Sequence, residues 1–217
     1  MKAHSSRVPG KNFRPIAGKP LYRWILDELL RTDFIDQIVI NTDARALIEQ
    51  AGFPHAEPRI QIRDREAALC GDEVSMNRII EDDLKHTEAD AYLMTHTTNP
   101  AITCETISRA FEAYGSGLAQ GKDSLFSVNR FQTRFYRQDG SPVNHDPNNL
   151  IPTQDLEPWY EENSCLYFFS KDSFTATRAR IGHRPSLFQT PLLESVDIDE
   201  PEDWTLAEIL LEARVQR

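Results

Sequence analysis

Apolar residues recur at intervals of three and four over Leu21, Trp24, Ile25, Leu29 and Leu30, behind a proline, Pro20, suited to a first helical turn. "QIVINTDA" is an apolar run ending in polar residues, which predicts a buried strand stopping at Thr42 and Asp43. "RALIEQAG" then returns to helical spacing until Gly52 stops it. The alternation continues: "RIQIR" and "DAYLMT" predict strands, and "EVSMNRIIEDDLKH" and "CETISRAFEAY" predict helices. Strands and helices alternating at this spacing predict an α/β fold, a mainly parallel sheet with helices on both faces.

Beyond "DSLFSV" the pattern changes. Residues 131–162 carry "QDGSP", "NHDPNN" and further prolines, which predicts a hairpin and loops leaving the main sheet, suited to a lid or a partner subunit. "SCLYFFS" returns as a strand, and "PEDWTLAEILLEARVQR" closes the chain as an amphipathic helix. Residues 1–217 therefore read as a single domain with one small excursion. A parallel sheet that binds phosphate beyond its first strand needs about five apolar residues ahead of the binding loop. This chain opens inside the loop, in "MKAHSSRVPGKN", so a first strand is expected upstream of Met1.

Composition narrows the function. At 217 residues and 40% hydrophobic, the chain can bury one substantial core. Lys and Arg total 24 against 34 Asp and Glu, a formal net charge of -10, which argues against a broad nucleic-acid face but not against a local anion pocket. No apolar run approaches the roughly 18 residues of a membrane span. Cys70, Cys104 and Cys165 are widely spaced without a CxxC pair, which predicts buried thiols in a reducing cytoplasm rather than a disulfide or zinc site.

Four stretches carry candidate chemistry. "HSSRVPGKN" offers a Pro-Gly turn with Lys11, Arg7 and hydroxyls, suited to a triphosphate, with Lys2 just before it. It is not a Walker A loop, because Asn12 stands where that motif needs Ser or Thr. "ESVDIDEPEDW" would place Asp197 and Asp199 on one face of a strand, fit to share a magnesium ion, with manganese as an alternative. Asp199 with Glu202 fits a helix capping box equally well. In "RDREAALCGDEVSMNRII", Arg65 is a nucleotide contact or a surface pair, Asp72 is a ligand or an N-cap, and Ser75 lies one turn into the predicted helix. "HTTNP" puts His96 and Thr98 directly after a buried strand, where open α/β sheets bind ligands.

Together, "RVPGKNFRPIAGKPL", "VINTDA", "HTTNP", "ENSCLYFF" and "ESVDIDEPEDW" occur in an order that resembles the acylneuraminate cytidylyltransferase family, which includes the CMP-sialate, CMP-pseudaminate and CMP-Kdo synthetases. The likeness spans nearly the whole chain. It implies a Rossmann-like sheet binding CTP, transfer of CMP to the anomeric hydroxyl of an acidic sugar of the nonulosonic type, magnesium-assisted loss of pyrophosphate, and a cytoplasmic homodimer. On the family's pattern, Lys11, Asn12, Ser5 and Arg65 match nucleotide-binding positions, Asp197 and Asp199 match the metal-binding aspartates, and Asn163 matches the asparagine of an "ENGAIY" strand entry. In a homodimer the excursion would reach the partner's sugar pocket, with Phe135, Tyr136, Leu150 and Ile151 as interface groups.

The departures fall in two places. Lys2, Ser6 and Arg7 redistribute the first loop's positive charge, and Arg and Lys are not equivalent at bidentate phosphate sites. His96 replaces a sugar-contacting Gln, and "PTQDLEP" keeps Gln154 but neither Arg of an "RRQDLP" segment, so Arg134 is expected to take over the acid's carboxylate. Two alternatives stay open: the same fold with another nucleotide or a non-sialate acceptor, and a nucleotide-binding paralogue without turnover.

Overall fold

The helix expected behind Pro20 is α1 (Leu21–Leu30), entered from a two-strand turn formed by β1 (Pro15–Ile16) and β2 (Lys19–Pro20). The computed structural model describes residues 1–53 and 57–216. β3 (Ile38–Thr42) leads into α2 (Arg45–Gln50), and Gly52, at φ 73°, ends that step in a backbone conformation other residues rarely adopt. β4 (Ile60–Asp64), α3 (Met76–Leu84), β5 (Tyr92–Thr95) and α4 (Cys104–Ala119) follow in the predicted order. Then come β6 (Ser124–Phe131), β7 (Trp159–Phe169), α5 (Lys171–Thr177), β8 (Pro185–Gln189) and α6 (Pro201–Val215).

β3 pairs in parallel with β4, and a four-stranded sheet runs β5-β7-β6-β8. There β6 and β8 are parallel, whereas β7 runs antiparallel to both neighbours. Alternation along β7 explains the two helical layers. Leu166 and Phe168 pack with Ile107, Ala110 and Tyr114 of α4, while Tyr167 and Phe169 pack with Ile80 and Leu84 of α3 and Phe174 of α5. A third cluster ties the chain's two ends together: Val8, Ile16, Leu21 and Trp24 bury against Ile198 and, on α6, Trp204, Ala207 and Leu211.

Several details correct the sequence reading. The excursion is narrower than 131–162, because Trp159 to Glu162 still pair with Val128 to Phe131 as a protruding ribbon; only residues 132–158 leave the sheet. Ser75, not Asp72, is the N-cap of α3, its hydroxyl accepting from the Asn77 amide. The capping box at α6 is Glu200 with Asp203 rather than Asp199 with Glu202, and Pro201 opens the helix. Residues 195–199 form no strand; the Ile198 amide donates to Thr98 O at 2.9 Å, and wholly buried Ile198 anchors the segment. Of the three free cysteines, only Cys165 is fully buried.

Candidate active site

The first loop is held at both flanks. The Met1 ammonium donates to Asn41 O at 2.5 Å and the Ala3 amide to Asp43 Oδ1 at 2.7 Å, so the chain's opening lies along the carboxyl end of β3. Asn12 donates from Nδ2 to Lys2 O (2.8 Å) and accepts from the Thr97 hydroxyl (2.6 Å), joining the loop to the turn after β5. Gly10 takes φ 65°, which lets the Pro-Gly turn reverse and send Lys11 inward.

Lys11 carries the central contact. Its side chain is buried, and Nζ donates to Ile198 O at 2.5 Å and lies 3.6 Å from Asp199 Oδ1. Arg7, on the open side, pairs with Asp199 at 2.8 Å and Glu200 at 3.2 Å. Because the helix cap uses Glu200 and Asp203, the Asp199 carboxylate is left to these cations. Burial of Ile198 contributes about 1.5–3 kcal/mol and fixes the aspartates on either side of it.

Asp197 faces a harder environment. Its Oδ1 is buried without a hydrogen-bond partner, and burial pushes the carboxyl above the ordinary carboxylate range, with the Thr98 hydroxyl pulling the other way. With Asn163 and Ser195 it lines a small pocket of about 160 Å³. Asn163 is placed by a β-bulge: Ser164 sits at φ 59°, the ladder shifts register, and Asn163 turns inward. There it accepts from Ser127 Oγ at 2.6 Å and donates to Thr190 Oγ1 at 2.6 Å.

A cavity of about 810 Å³ opens beside the loop, and Lys2, Ser5, Arg7, Lys11 and Asn12 line it with Arg65, His96 and Thr98. Arg65 donates from Nε to Asn41 Oδ1 (2.8 Å) and from Nη2 to Asn41 O (2.9 Å). Lys2 pairs with Asp72 at 2.9 Å across the rim. His96 is held neutral, its imidazole pulled down to about 4 by burial and by the Arg180 guanidinium 3.4 Å from Nε2.

The predicted residues do not all gather here. Ser75 is spent on its helix cap. Arg134 donates to Ile151 O at 2.7 Å, and the carbonyl of exposed Gln154 accepts from Gln132; both lie on the excursion and line neither pocket. The cation beside His96 is Arg180, which also pairs with Glu162 at 3.1 Å and stacks 3.8 Å over Tyr167. No local motif marks it, because its relation to His96 arises from the path between α5 and β8.

A buried Lys against a carboxylate, beside a cleft rich in Arg and hydroxyls, suits a polyphosphate. Comparison with known proteins gives the family. A family model described as cytidylyltransferase matches residues 1–215. The chain is 29% identical to a CMP-N,N'-diacetyllegionaminic acid synthase of Legionella pneumophila, covering 97% of this chain and 93% of that one. It is 23% identical to a pseudaminic acid cytidylyltransferase of Campylobacter jejuni, over 95% and 91%. Against N-acylneuraminate cytidylyltransferase A of Danio rerio it is 26% identical over 94% of its length, but spans only 47% of that protein. Among solved structures, a CMP:2-keto-3-deoxy-manno-octonic acid synthetase complexed with CTP superposes with a TM-score of 0.67 at 15% identity, covering 99% and 96%. A 4-diphosphocytidyl-2C-methyl-D-erythritol synthase of Anaerococcus prevotii gives the same score at 13% identity, covering 100% and 96%.

Proposed function

Since the chain belongs to the cytidylyltransferase family and is a nucleotidyltransferase, we propose that it transfers CMP from CTP to the anomeric hydroxyl of an acidic, nonulosonic-type sugar, releasing pyrophosphate. The observation that carries this reading is Lys11, buried and braced by Ile198 O and Asp199 at the edge of the cleft. The shared fold does not select the acceptor, since it also serves a methylerythritol synthase; the relatives named for legionaminic and pseudaminic acids do.

In the proposed reaction the anomeric oxygen forms a bond to the α-phosphorus, the bond from that phosphorus to the bridging oxygen breaks, and its electron pair leaves with pyrophosphate. The hydroxyl proton passes to solvent. Negative charge grows on the phosphate oxygens, so positioning and electrostatic stabilisation supply most of the acceleration. Lys11, with Lys2 and Arg7 nearer solvent, neutralises that charge. Asn12, Ser5 and Arg65 hold the nucleotide, and His96 and Thr98 border the acceptor. Neutral His96 can accept or donate a hydrogen bond without adding charge.

The aspartates fit a divalent cation. Asp197 has an orphaned buried oxygen, and Asp199 presents a carboxylate now shared with Lys11 and Arg7. Two carboxylates completed by substrate phosphates are a usual magnesium set, and manganese accepts the same donors. When bound, magnesium would draw charge from the phosphates and lower the pKa of a nearby hydroxyl.

A cytoplasmic homodimer completes the proposal. Tyr136, Leu150 and Ile151 on the excursion, and Trp159 and Tyr160 at its root, are exposed apolar groups, which favours a covered surface. Arg134 and Gln154 would then serve the partner's site. Among the described residues, no helix is long and apolar enough to cross a membrane.

The test is pyrophosphate release with magnesium, each nucleoside triphosphate being offered against a panel of nonulosonic acids and Kdo. Release with CTP and one acid, lost in Asp199→Ala, is expected. A folded protein that releases none with any pair overturns the reading. Light scattering after size exclusion tests the dimer, which a monomer at micromolar concentration contradicts.

A further inference from the structure

Arg180 is held flat where α3, β5 and β7 meet. Its amide donates to Asn77 Oδ1 on α3 at 3.2 Å, and its guanidinium lies 3.8 Å over the ring of Tyr167 on β7. Nη2 donates to Glu162 Oε1 at 3.1 Å, and the same oxygen accepts from the Tyr167 hydroxyl. One edge of the guanidinium is therefore tied down.

The other edge is poorly satisfied. Nη1 has Met94 Sδ at 3.7 Å and His96 Nε2 at 3.4 Å, a weak sulfur acceptor and a long contact to a ring nitrogen. Arg presents its N–H donors in a fixed fork that matches a carboxylate, and stacking on an aromatic face leaves the edges of that fork available. The Arg180 side chain is 19% exposed, so the edge is within reach of a solute.

Its position gives that edge a use. Met94 and His96 border the 810 Å³ cavity, and Glu162 borders the small pocket with Asp197, so the guanidinium stands between the two. The turn after β5 leads from His96 to Thr98, whose hydroxyl bonds Asp197. The Lys and Arg side chains that border the cavity, Lys2, Arg7, Lys11 and Arg65, gather instead about the first loop and the end of β3. Neutral His96 brings no charge of its own.

We infer that Arg180 is a specificity-determining residue that holds the acceptor's carboxylate, its Nη1 edge turning from Met94 and His96 to the incoming acid while Glu162 keeps the other edge in place. The inference rests on the reading of the acceptor as a nonulosonic-type acid, whose carboxyl group is attached to the anomeric carbon itself. A cation on that carboxylate also sets where the attacking hydroxyl lies, and the step from His96 to Thr98 leads toward Asp197. A neutral sugar would leave the guanidinium edge without a charge partner, so the site favours the acid. Arg134, tied to Ile151 O on the excursion, is not required for this.

Steady-state pyrophosphate release from CTP tests the assignment, with the acid that the wild type uses and its methyl ester, which keeps the anomeric hydroxyl, as acceptors. Arg180→Ala is expected to raise KM for the acid about 10–100-fold, as the loss of a hydrogen-bonded charge pair implies, and to leave KM for CTP within about threefold of wild type. The wild-type preference for acid over ester in kcat/KM should be about 10–100-fold and fall to about threefold or less in the variant. Arg180→Lys should recover part of it. An unchanged KM for the acid, or a preference kept in Arg180→Ala, overturns the inference; so does a preference lost in Arg134→Ala instead. If circular dichroism shows that Arg180→Ala does not fold, Arg180→Gln, which can still bond Glu162, is held to the same limits. A wild type that releases no pyrophosphate with any acid overturns the acceptor reading and this assignment with it, whereas an active wild type with unaffected Arg180 variants overturns the assignment alone.

Discussion

Lys11 and Asp199, from opposite ends of the chain, meet with Nζ 3.6 Å from Oδ1, and the same ammonium donates to Ile198 O. The contact keeps a cation dehydrated and aimed before any phosphate arrives. Because the charge is already oriented, little reorganisation is left for the transition state.

Lys11→Ala is therefore expected to lower kcat for pyrophosphate release by about 10²–10³-fold, the range seen when one preorganised donor to a developing oxyanion is removed. Lys11→Arg keeps the charge but not the fit against Ile198 O, and an intermediate rate is expected. Circular dichroism checks that both variants fold. A kcat within threefold of wild type in the alanine variant contradicts the role.

Asp197 links stability to pH. Burial raises its folded pKa above the ordinary carboxylate value, so the folded state binds the proton more tightly than the unfolded chain. Its contribution is present at acid pH and is lost as pH rises from the ordinary value through the raised one. At neutral pH without metal, Asp197→Asn should raise Tm by about 2–4 °C, equivalent to ~1 kcal/mol in a chain of this size. On the proposed metal role, magnesium with nucleotide should raise the Tm of the wild type and not that of the variant. Calorimetry with and without magnesium reads both effects.

His96 titrates in the opposite sense. Its folded pKa is about 4 against an ordinary 6.5, so on acidification the unfolded chain takes up the proton first. Stability from this group is complete above 6.5 and falls away as pH drops toward about 4. His96→Gln should flatten the denaturation midpoint across that window while leaving it unchanged above pH 7. Urea titrations at half-unit steps check this.

Ser164 occupies φ 59°, a conformation that costs a residue with a Cβ about 1–2 kcal/mol. Glycine at this bulge should raise Tm by about 2–4 °C without moving Asn163, against the loss of a long 3.4 Å bond from the Tyr167 hydroxyl and the added freedom of the unfolded chain. A lowered Tm in Ser164→Gly would show that this contact, not the backbone, governs the bulge.

Elements with strong apolar periodicity were legible in the sequence: α1, β3, α3, β5 and α4 all stand where the pattern put them. α5 and β8 were not. "KDSFTAT" buries only Ser173 and Phe174 and owes its start to a Ser170/Ser173 capping box, while "PSLFQ" alternates too weakly to read as a strand. The Trp159 to Glu162 end of β7 escaped because both faces of that ribbon are exposed. At the site, Lys11, Asn12, Arg65, His96, Thr98 and the two aspartates could be named because short motifs carry them. Arg180 could not, since its position beside His96 follows from chain path alone. Residues 195–199 take their course from Thr98 O and the burial of Ile198, neither of which a local pattern encodes.

The packing of Val8, Ile16 and Trp24 against α6 also sets when the site can exist. A nascent chain on the ribosome, not yet through residues 198–211, has no partner for Lys11 and no support beneath the first loop. A ligand bound there would stabilise only chains in which residues 198–211 have packed against the loop, by an amount that grows with its concentration over Kd.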